Sequence, residues 1–450
     1  MTEGQGTLQA SAITWLADLG RGDAARVGAK AANLGELNRA GLAVPPGFVV
    51  SAEAYLDATD EGGVREELRS LHATALQQVD QPAALARSAE RLRALVRAAG
   101  VPARLRAQVV DAHRRLGETV PVAVRSSALG EDGEAASFAG MYDTYTNVVG
   151  NEDVLERLVD CWVALFGERV IAYRATCAPE GEPAIAVVVQ QLVDADCAGV
   201  MFTADPATGD TSRVVIEAAY GLGEVVMGGE LEPDLYVVAK PSRHLLHVRI
   251  GNKTHRAVAT ADGTVARIDV PFADVRRQAV SDTQIIALAQ LAVEVERTFG
   301  GVAQDIEWAI ADGSTYVLQA RPITAVAPPP HAPPAGNGGE TLLRGLAAAP
   351  GVATGPVRIL MSPEHWRRVD PGDVLVAPMA NPDWAPAVRR AAALVTDGGG
   401  VTCHGAIVAR ELGVPCVVAT RIATSRLDEG SVVTVDGGQG VVIHGDAAAE

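Results

Sequence analysis

The sequence predicts a mixed α/β (α+β) fold in two domains joined by a flexible linker. Helical stretches alternate with short β-rich runs over residues 12–324, and a shorter series of strands with one helix occupies residues 341–445. Residues 325–340 between them are rich first in proline and then in glycine, a composition that cannot support a packed core. We therefore expect a large N-terminal domain and a small C-terminal domain that move relative to one another.

Helix and strand signals follow one another along the N-terminal segment. A helix is predicted over residues 30–40, because leucines lie three positions apart within it and Gly41 follows it. Residues 85–115 predict an amphipathic helix pair interrupted at Gly100 and Pro102. After residue 120 the pattern changes to short β-rich runs, which are PVAVRSS, YDTYTNVV, AIAVVVQQLV, AGVMFTA, SRVVIEAAY, DLYVVA and LLHVRIG.

The end of the N-terminal segment predicts one helix and one strand pair. Ser281 and Gln284 form a capping box that opens a helix running to about Phe299. The runs IEWAI and STYVLQA then predict two strands joined by a turn at Asp312–Gly313. The C-terminal segment alternates short strands with a helix near residues 404–412, which predicts a compact α/β unit.

His404 is the sharpest candidate for chemistry, because a glycine run leads into it and it falls at a predicted helix start. There, free backbone N–H groups and the helix dipole stabilise an anionic phosphoryl group on the imidazole. The same field disfavours imidazolium and leaves the ring neutral and nucleophilic. The local sequence leaves three alternatives open. They are a capping histidine over a glycine turn, a thiol nucleophile at Cys403, and a metal site of Cys403, His404 and Cys416 that lacks a fourth ligand.

The charge balance and the cysteines exclude several classes of function. The chain carries 38 basic and 55 acidic residues, a net charge of −17 that disfavours binding to nucleic acid or an anionic membrane. The opening MTEGQGTLQA lacks the features of a secretory leader, and no apolar run is long enough to span a membrane. We therefore expect a soluble, cytoplasmic protein. Its five cysteines are widely spaced, which predicts reduced thiols.

Residues 402–415 read T-C-H-G-A-I-V-A-R-E-L-G-V-P and resemble the signature T-S-H-[AG]-A-I-[IV]-A-R-E-x-G-[IV]-P. That signature marks the phosphohistidine domain of the phosphoenolpyruvate synthase, pyruvate phosphate dikinase and rifampin phosphotransferase superfamily. Cys403 replaces the usual serine, and Gly405 is closer to the rifampin phosphotransferase form. The resemblance implies an N-terminal ATP-grasp domain joined by the Pro/Gly-rich linker to a small swivelling β/β/α phosphohistidine domain.

Two N-terminal blocks resemble the phosphate-binding motifs of this superfamily. VGAKAANLGEL, followed by GLAVPPGFVVS, places the phosphate-contacting lysine at Lys30. AVRSSALGEDGEAASFAG places a bidentate phosphate-binding arginine at Arg125 and a phosphate-covering loop at residues 136–140. Within that loop the resemblance assigns Ser137 and Gly140 to the nucleotide.

Two further blocks resemble motifs of this superfamily. VVVQQLVDADCAGVMFTADPATG implies an adenine hinge at Gln190–Val193, whose backbone groups pair with the edge of the base while Leu192 packs beside the ring. IEAAYGLGEVVMGGELEPDLYVV carries Glu217, which the resemblance assigns to nucleotide binding.

QDIEWAI and YVLQARPIT resemble the metal-binding strand pair of the superfamily. The resemblance makes Glu307 and Gln319 the ligands of a Mg²⁺ ion that bridges the phosphates, and Arg321 the residue that neutralises the terminal phosphate. Asp305 is expected to be structural. The alternative is a solvated ion-pair network across a hairpin.

The resemblance implies an ATP-dependent phosphotransferase of the dikinase type. ATP would be the substrate and Mg²⁺ the cofactor, and His404 would be phosphorylated while AMP leaves and water or orthophosphate takes the γ-phosphate. The acceptor is expected to be a small molecule, either pyruvate, as in the synthases, or another metabolite or an antibiotic. Because the sequence shows no barrel or antibiotic-binding segment, this acceptor would bind on a separate barrel-type subunit or between the two domains. The alternatives are a rifampin phosphotransferase-type enzyme acting on antibiotics or natural products, and a non-catalytic phospho-carrier or partner-dependent subunit.

Overall fold

The computed structural model describes residues 12–129, 142, 144–177, 181–323 and 340–445. The predicted linker at 325–340 falls almost wholly outside these residues, as does the phosphate-covering loop at 136–140. The division into domains at the linker therefore stays a prediction.

The chain forms two compact units. The first unit runs to Leu192 and includes Ala261–Thr264. The second unit comprises Val193–Thr260 and the residues from Val265 on. The predicted C-terminal domain and the last strands of the predicted N-terminal domain thus belong to one unit.

The first unit is built on a single antiparallel sheet. Its elements in chain order are β1 (Ile13–Trp15), α1 (Ala24–Arg39), β2 (Gly47–Val50), α2 (Ala52–Glu61), α3 (Arg65–Leu76), α4 (Pro82–Ala99), α5 (Ala103–Gly117), β3 (Val122–Ala128), β4 (Thr144–Val148), α6 (Asn151–Ala164), α7 (Glu168–Cys177) and β5 (Ile185–Gln191). The strand order is β1-β2-β5-β3-β4. Strands β2, β3 and β5 are buried along almost their whole length, which means that both faces of this sheet are covered.

Helix α1 begins at Ala24, earlier than the predicted start at Lys30, and it is kinked at Gly28. Gly28 has a φ of +75°, and a Cβ there would lie 2.8 Å from the carbonyl carbon of Ser127 on β3. A glycine therefore allows the helix to approach β3 closely. The leucine spacing detected only the part after the kink, where Leu34 is fully buried.

The second unit contains an antiparallel six-stranded sheet. Its elements are β6 (Cys197–Phe202), β7 (Arg213–Tyr220), α8 (Glu224–Met227), β8 (Asp234–Ala239), β9 (Leu245–Arg249), β10 (His255–Ala259), β11 (Val265–Asp269), α9 (Asp282–Thr298), β12 (Gln304–Ala311) and β13 (Ser314–Pro322). The strand order is β13-β12-β6-β7-β8-β9, with β10 and β11 as a separate hairpin. Helix α9 begins at the predicted Ser281–Gln284 capping box and packs against β7, β8 and β12.

An eight-stranded sheet completes the second unit. Its elements are β14 (Thr341–Arg344), β15 (Leu346–Ala349), β16 (Val352–Ile359), β17 (Val374–Ala377), α10 (Ala385–Val388), β18 (Ala393–Thr396), α11 (His404–Leu412), β19 (Cys416–Val418), α12 (Ala423–Arg426), β20 (Val432–Asp436) and β21 (Val441–His444). The order is β14-β21-β20-β16-β17-β18-β19-β15, and β16 to β19 are parallel. The carboxyl ends of β17, β18 and β19 therefore meet at one edge, where α/β folds commonly place their sites.

The mixed helix and sheet class is confirmed, and so are the predicted strand runs, the helix pair α4 and α5, and the β12–β13 hairpin. Helices α2, α3, α6 and α7 were not predicted. The described cysteines Cys161, Cys197, Cys403 and Cys416 are free thiols. Among the described helices, none combines the length and the apolarity that a membrane crossing requires.

Candidate functional site

A row of side chains crosses four strands of the six-stranded sheet. Gln319 pairs directly with Glu307, Glu307 with Val200, and Val200 with Glu217. Residues directly opposite one another on paired strands project from the same face. The predicted metal ligands Glu307 and Gln319 are therefore neighbours, and Glu217 lies on their face two strands away, about 10 Å from Glu307 at the strand spacing of a β-sheet.

Arg321 is two residues beyond Gln319 on β13, so its side chain projects from the same face of the sheet. It is directly opposite Asp305, and its Nη2 lies 2.9 Å from the Asp305 carboxylate. Both side chains are largely buried, and burial raises the pKa of Asp305 above its ordinary value, with the Arg321 charge opposing that rise. The ion pair fixes the orientation of the guanidinium, which fits the structural role expected for Asp305.

The Glu217 carboxylate accepts three hydrogen bonds from the loop that precedes α11. The Val401 N–H donates to Oε1 at 2.6 Å, and the Thr402 N–H donates to Oε2 at 3.3 Å. The Thr402 hydroxyl also donates to Oε2. Glu217 is fully buried, so this contact is shielded from water.

Burial raises the pKa of Glu217 to about 7, because a desolvated carboxylate favours its neutral form. The hydrogen bonds from Thr402 and Val401 and the positive charge of Arg410 act in the opposite direction. A carboxyl group that titrates near neutrality is characteristic of functional sites, although structural clusters produce it as well.

Glycine is required at position 400 by this contact. A Cβ on Gly400 would lie 2.6 Å from the carboxyl carbon of Glu217, well inside van der Waals contact. The neighbouring Gly399 has a φ of +90°, a conformation that other residues rarely adopt. The close approach at the glycine run is thus made by a side chain of the same unit.

His404 is the first residue of α11, as predicted. The helix connects the parallel strands β18 and β19, and Cys403 stands at its N-cap. Cys403 is buried, and burial raises the pKa of its thiol to about 11, so the thiol is un-ionised at neutral pH. This protonation state disfavours the alternative of a thiolate nucleophile.

Arg410 ties α11 to the loop and to the rest of its sheet. Its Nη1 donates to the Val401 carbonyl at 2.8 Å and to the Ala348 carbonyl at 2.7 Å. The guanidinium also lies 6.0 Å from the centroid of the Phe202 ring on β6. The arginine of the phosphohistidine signature therefore supports the loop next to Glu217.

In the first unit, Lys30 and Arg125 are brought together. The Lys30 ammonium donates to the carbonyl of Ser126, the residue after Arg125, at 2.7 Å. Lys30 and Arg125 are 8% and 7% exposed, which is low for residues of their type. Two basic groups beside the middle of β3 are suited to hold phosphate oxygens.

The predicted hinge residues lie at the end of β5 in the same unit. Gln190 is buried, pairs with Gly47 on β2, and donates to the Pro45 carbonyl at 3.4 Å. Leu192 follows the strand and is half-buried. Ser137 and Gly140, the predicted loop contacts, lie outside the described residues.

The donors at positions 307 and 319 fit a magnesium ion better than a softer metal. A carboxylate and an amide oxygen on directly paired strands are hard ligands, and Mg²⁺ in phosphoryl-transfer sites is held by few protein oxygens together with the phosphates. Within the described ranges, no group of three or more histidine, cysteine, aspartate or glutamate side chains is arranged to hold a metal by itself.

Three features of this site were missed by sequence reasoning. The acceptor role of Glu217 towards the loop, the donor role of Thr402 and the support from Arg410 have no local signal, although Thr402 and Arg410 lie within the recognised signature.

Comparison with known families covers most of the chain. Residues 24–334 match the model of the pyruvate phosphate dikinase AMP/ATP-binding domain. Residues 369–440 match the mobile domain of PEP-utilising enzymes.

Curated relatives of the same family match nearly the whole chain. A probable phosphoenolpyruvate synthase of Archaeoglobus fulgidus is 41% identical over 444 residues, covering 96% of this chain and 58% of the relative. A probable phosphoenolpyruvate synthase of Methanothermobacter thermautotrophicus is 40% identical, with coverages of 96% and 63%. The phosphoenolpyruvate synthase of Aeropyrum pernix is 39% identical, with coverages of 97% and 58%. The chain therefore spans less than two thirds of the length of these relatives.

Proposed function

This chain belongs to the superfamily of phosphoenolpyruvate synthase and pyruvate phosphate dikinase, and we propose that it is an ATP-dependent phosphotransferase with a phosphohistidine at His404. An imidazole nitrogen of His404 bonds to the β-phosphorus of ATP, the bond from that phosphorus to the α,β-bridging oxygen breaks, and AMP leaves. Water then takes the γ-phosphoryl group as orthophosphate, which leaves one phosphoryl group on the histidine.

The observation that carries this proposal is the contact between Glu217 and the loop before His404. Glu217 stands in the same cross-strand row as Glu307 and Gln319, so the loop is held on the sheet face that bears the proposed metal ligands. The helix that begins at His404 therefore starts beside the proposed phosphate site, and its N-terminal dipole favours an anionic group there.

The remaining site residues are assigned roles by their chemistry. Lys30 and Arg125 would bind phosphate oxygens, and Arg321, oriented by Asp305, would neutralise the terminal phosphate. Ser137, Gly140, Gln190 and Leu192 would complete the nucleotide site through the covering loop and the adenine hinge.

Glu307 and Gln319 would hold Mg²⁺ through their side-chain oxygens. When bound, the ion supplies neutralisation of the charge on the β- and γ-phosphates. Asp305 is already paired with Arg321, so its part is to keep the guanidinium on the face of the sheet where that charge develops.

Pyruvate is the proposed acceptor, since the curated relatives are named phosphoenolpyruvate synthases. The resemblance of Gly405 to the antibiotic-phosphorylating form does not favour that alternative, because local packing explains the glycine. Its N–H donates to the Ala380 carbonyl at 3.0 Å, and a Cβ there would lie 2.9 Å from the same oxygen.

The proposal is tested by incubating the chain with Mg²⁺ and ATP labelled at the β-phosphate, with His404→Ala as the control, and then adding pyruvate. We expect AMP and acid-labile label on the wild type, no label on His404→Ala, and formation of phosphoenolpyruvate with further AMP release.

Two results would contradict parts of the proposal. ADP as the only nucleotide product, or label that persists in His404→Ala, would overturn the phosphohistidine mechanism. One equivalent of AMP, followed by label that pyruvate does not remove, would overturn transfer to pyruvate by this chain alone and identify the chain as a phospho-carrier or a partner-dependent subunit.

A further inference from the structure

We propose that Glu217 is a positioning residue that latches the loop before His404 onto the six-stranded sheet and so sets where the histidine stands during self-phosphorylation. The kinetic consequence rests on the proposed function. The latch itself is a statement about hydrogen bonds between Glu217, Val401 and Thr402, and it can be tested without catalysis.

The first contact of the latch satisfies two backbone donors at once. Val401 and Thr402 are buried, and their N–H groups both donate to the Glu217 carboxylate. A buried N–H that loses its hydrogen-bond partner costs free energy. The two hydrogen bonds therefore stabilise the loop in its position at the carboxylate. The Thr402 hydroxyl adds a third donor to the same carboxylate.

A second contact lies at the carboxyl end of the neighbouring strand, β19. Arg421 donates from Nη2 to Glu232 Oε1 at 3.0 Å, and Arg249 donates to the same oxygen at 2.7 Å. Arg249 also donates to the Ala419 carbonyl at 3.0 Å. Arg249 is the last residue of β9 in the six-stranded sheet, whereas Ala419 and Arg421 follow β19 in the eight-stranded sheet. This contact therefore joins the same two sheets as the Glu217 contact does.

The backbone at this second contact is held in an unusual conformation. Ala419 and Arg421 have φ values of +55° and +74°, which cost a non-glycine residue free energy. Such conformations persist where the surroundings over-determine them, and they cluster at functional sites. Here they turn the Ala419 carbonyl and the Arg421 side chain towards Arg249 and Glu232.

Glycines keep the two surfaces close between these contacts. Gly229, with a φ of +69°, follows α8, and a Cβ there would lie 3.1 Å from Cys403 Cβ. Gly400 could not carry a Cβ beside Glu217. The residue immediately before His404 is therefore packed against one part of the second unit while the loop before it is hydrogen-bonded to another.

The burial and hydrogen bonds of Glu217 distinguish two possible roles for this residue, which are holding the loop and binding the nucleotide. In the structure, Glu217 is fully buried and its oxygens accept from the loop, so a nucleotide meets this carboxylate only after the loop has left. A latch acts on the step in which His404 attacks, whereas a nucleotide ligand acts on the affinity for ATP.

The test compares Glu217→Ala and Thr402→Val with the wild type in two measurements. We expect the rate of labelling at saturating ATP to fall at least about tenfold, while the dissociation constant of a non-hydrolysable ATP analogue changes less than about twofold. Hydrogen exchange, measured by mass spectrometry, should accelerate in the peptide that contains Val401 and Thr402 but not in β18.

Three further variants keep this test specific. Thr402→Ser keeps a hydroxyl but loses the methyl group, and it should retain most of the labelling rate that Thr402→Val loses. A variant that acted only through lost packing would not retain this rate. The double variant Glu217→Ala/Thr402→Val should label no more slowly than Glu217→Ala, because the two substitutions remove the same contact. Glu294→Ala, on the exposed side of α9, is the matched acidic control and should label at the wild-type rate.

The outcomes distinguish this inference from the proposed function. A wild type that takes no label overturns the proposed function, and the exchange measurement then decides the latch alone. A labelled wild type with unchanged exchange and unchanged rate in Glu217→Ala overturns the latch. An analogue affinity that falls in Glu217→Ala, with an unchanged rate at saturation, overturns it in favour of a nucleotide ligand.

Discussion

The guanidinium of Arg321 is paired with the carboxylate of Asp305 from the directly opposite position on the neighbouring strand. The Nη2–Oδ2 distance is 2.9 Å, and the Arg321 Nε also donates to the same oxygen at 3.0 Å. Two donors on one oxygen restrict how the guanidinium can rotate. The pair lies on the face that bears Glu307 and Gln319, so Asp305 controls the direction of the charge that Arg321 presents there.

Replacing Asp305 with asparagine should therefore slow self-phosphorylation. A hydrogen bond to a charged group contributes about 1.5–3 kcal/mol, which corresponds to a loss of roughly ten- to hundredfold if the orientation of Arg321 is needed in the transition state. The measurement is the labelling rate at saturating ATP. Asp282→Asn, at the start of α9, is the control and should be unaffected. A normal rate in Asp305→Asn would show that Arg321 orients itself.

Replacing Glu307 with glutamine should raise the Mg²⁺ concentration needed for half-maximal labelling. The change keeps the size of the side chain but removes a negative charge from the proposed hard-ligand pair. We expect a shift of about tenfold or more, together with a smaller stabilisation of the protein by Mg²⁺-ATP in thermal unfolding.

The same titration with Glu294→Ala should match the wild type, since Glu294 lies on the exposed side of α9. A Glu307→Gln variant with an unchanged Mg²⁺ requirement in both readouts would place the metal ligands elsewhere.

The elements predicted correctly are those whose signals are local. The capping box at Ser281 and Gln284 begins α9, and the turn at Asp312–Gly313 joins β12 to β13. The position of His404 at a helix start also followed from the glycine run before it. In each case a few neighbouring residues determine the conformation, so the sequence pattern alone is sufficient.

The contacts that were missed join residues far apart in the chain. Glu217 binds Val401 and Thr402 across 184 and 185 positions, and no local pattern encodes a hydrogen bond over that separation. The start of α1 was missed for a different reason, since the φ of Gly28 interrupts the helical period that marks the rest of the helix. The roles of Ser137 and Gly140 stay predictions.

Raising the pH should weaken the latch between about pH 4.5 and 7. Burial raises the pKa of Glu217 from 4.5 to about 7 in the latched state, so this state binds a proton more tightly than a state with the carboxylate in water. The stabilisation is complete below the lower value and is lost as the pH rises through the higher one, by about tenfold per pH unit in the latching equilibrium.

Two ionisable groups that interact with Glu217, Cys403 and Arg410, do not titrate in this window. The pKa of the Cys403 thiol is raised to about 11, and Arg410 stays charged. The measurement is hydrogen exchange of the peptide containing Val401 and Thr402 from pH 5 to 8, corrected for the intrinsic exchange rate. Glu217→Gln should remove the pH dependence, and a Glu217→Gln profile that follows the wild type would assign the titration to another group.

Replacing Gly400 with alanine should release the loop without unfolding the protein. The added Cβ would lie 2.6 Å from the Glu217 carboxyl carbon, a clash that exists only while the loop is latched. Overpacking of this kind costs about 1–3 kcal/mol, so the labelling rate should fall by roughly ten- to hundredfold while the thermal unfolding midpoint changes little.

The matched control for this substitution is Gly398→Ala in the same loop, where a Cβ would make an ordinary 3.5 Å contact with Met379 Cε. It should label at nearly the wild-type rate. Adding Glu217→Ala to Gly400→Ala removes the clashing carboxylate, so the double variant should be no slower than Glu217→Ala alone. A Gly400→Ala chain that labels as fast as the wild type would mean that the loop leaves Glu217 before His404 reacts, and that latching is not part of the phosphorylation step.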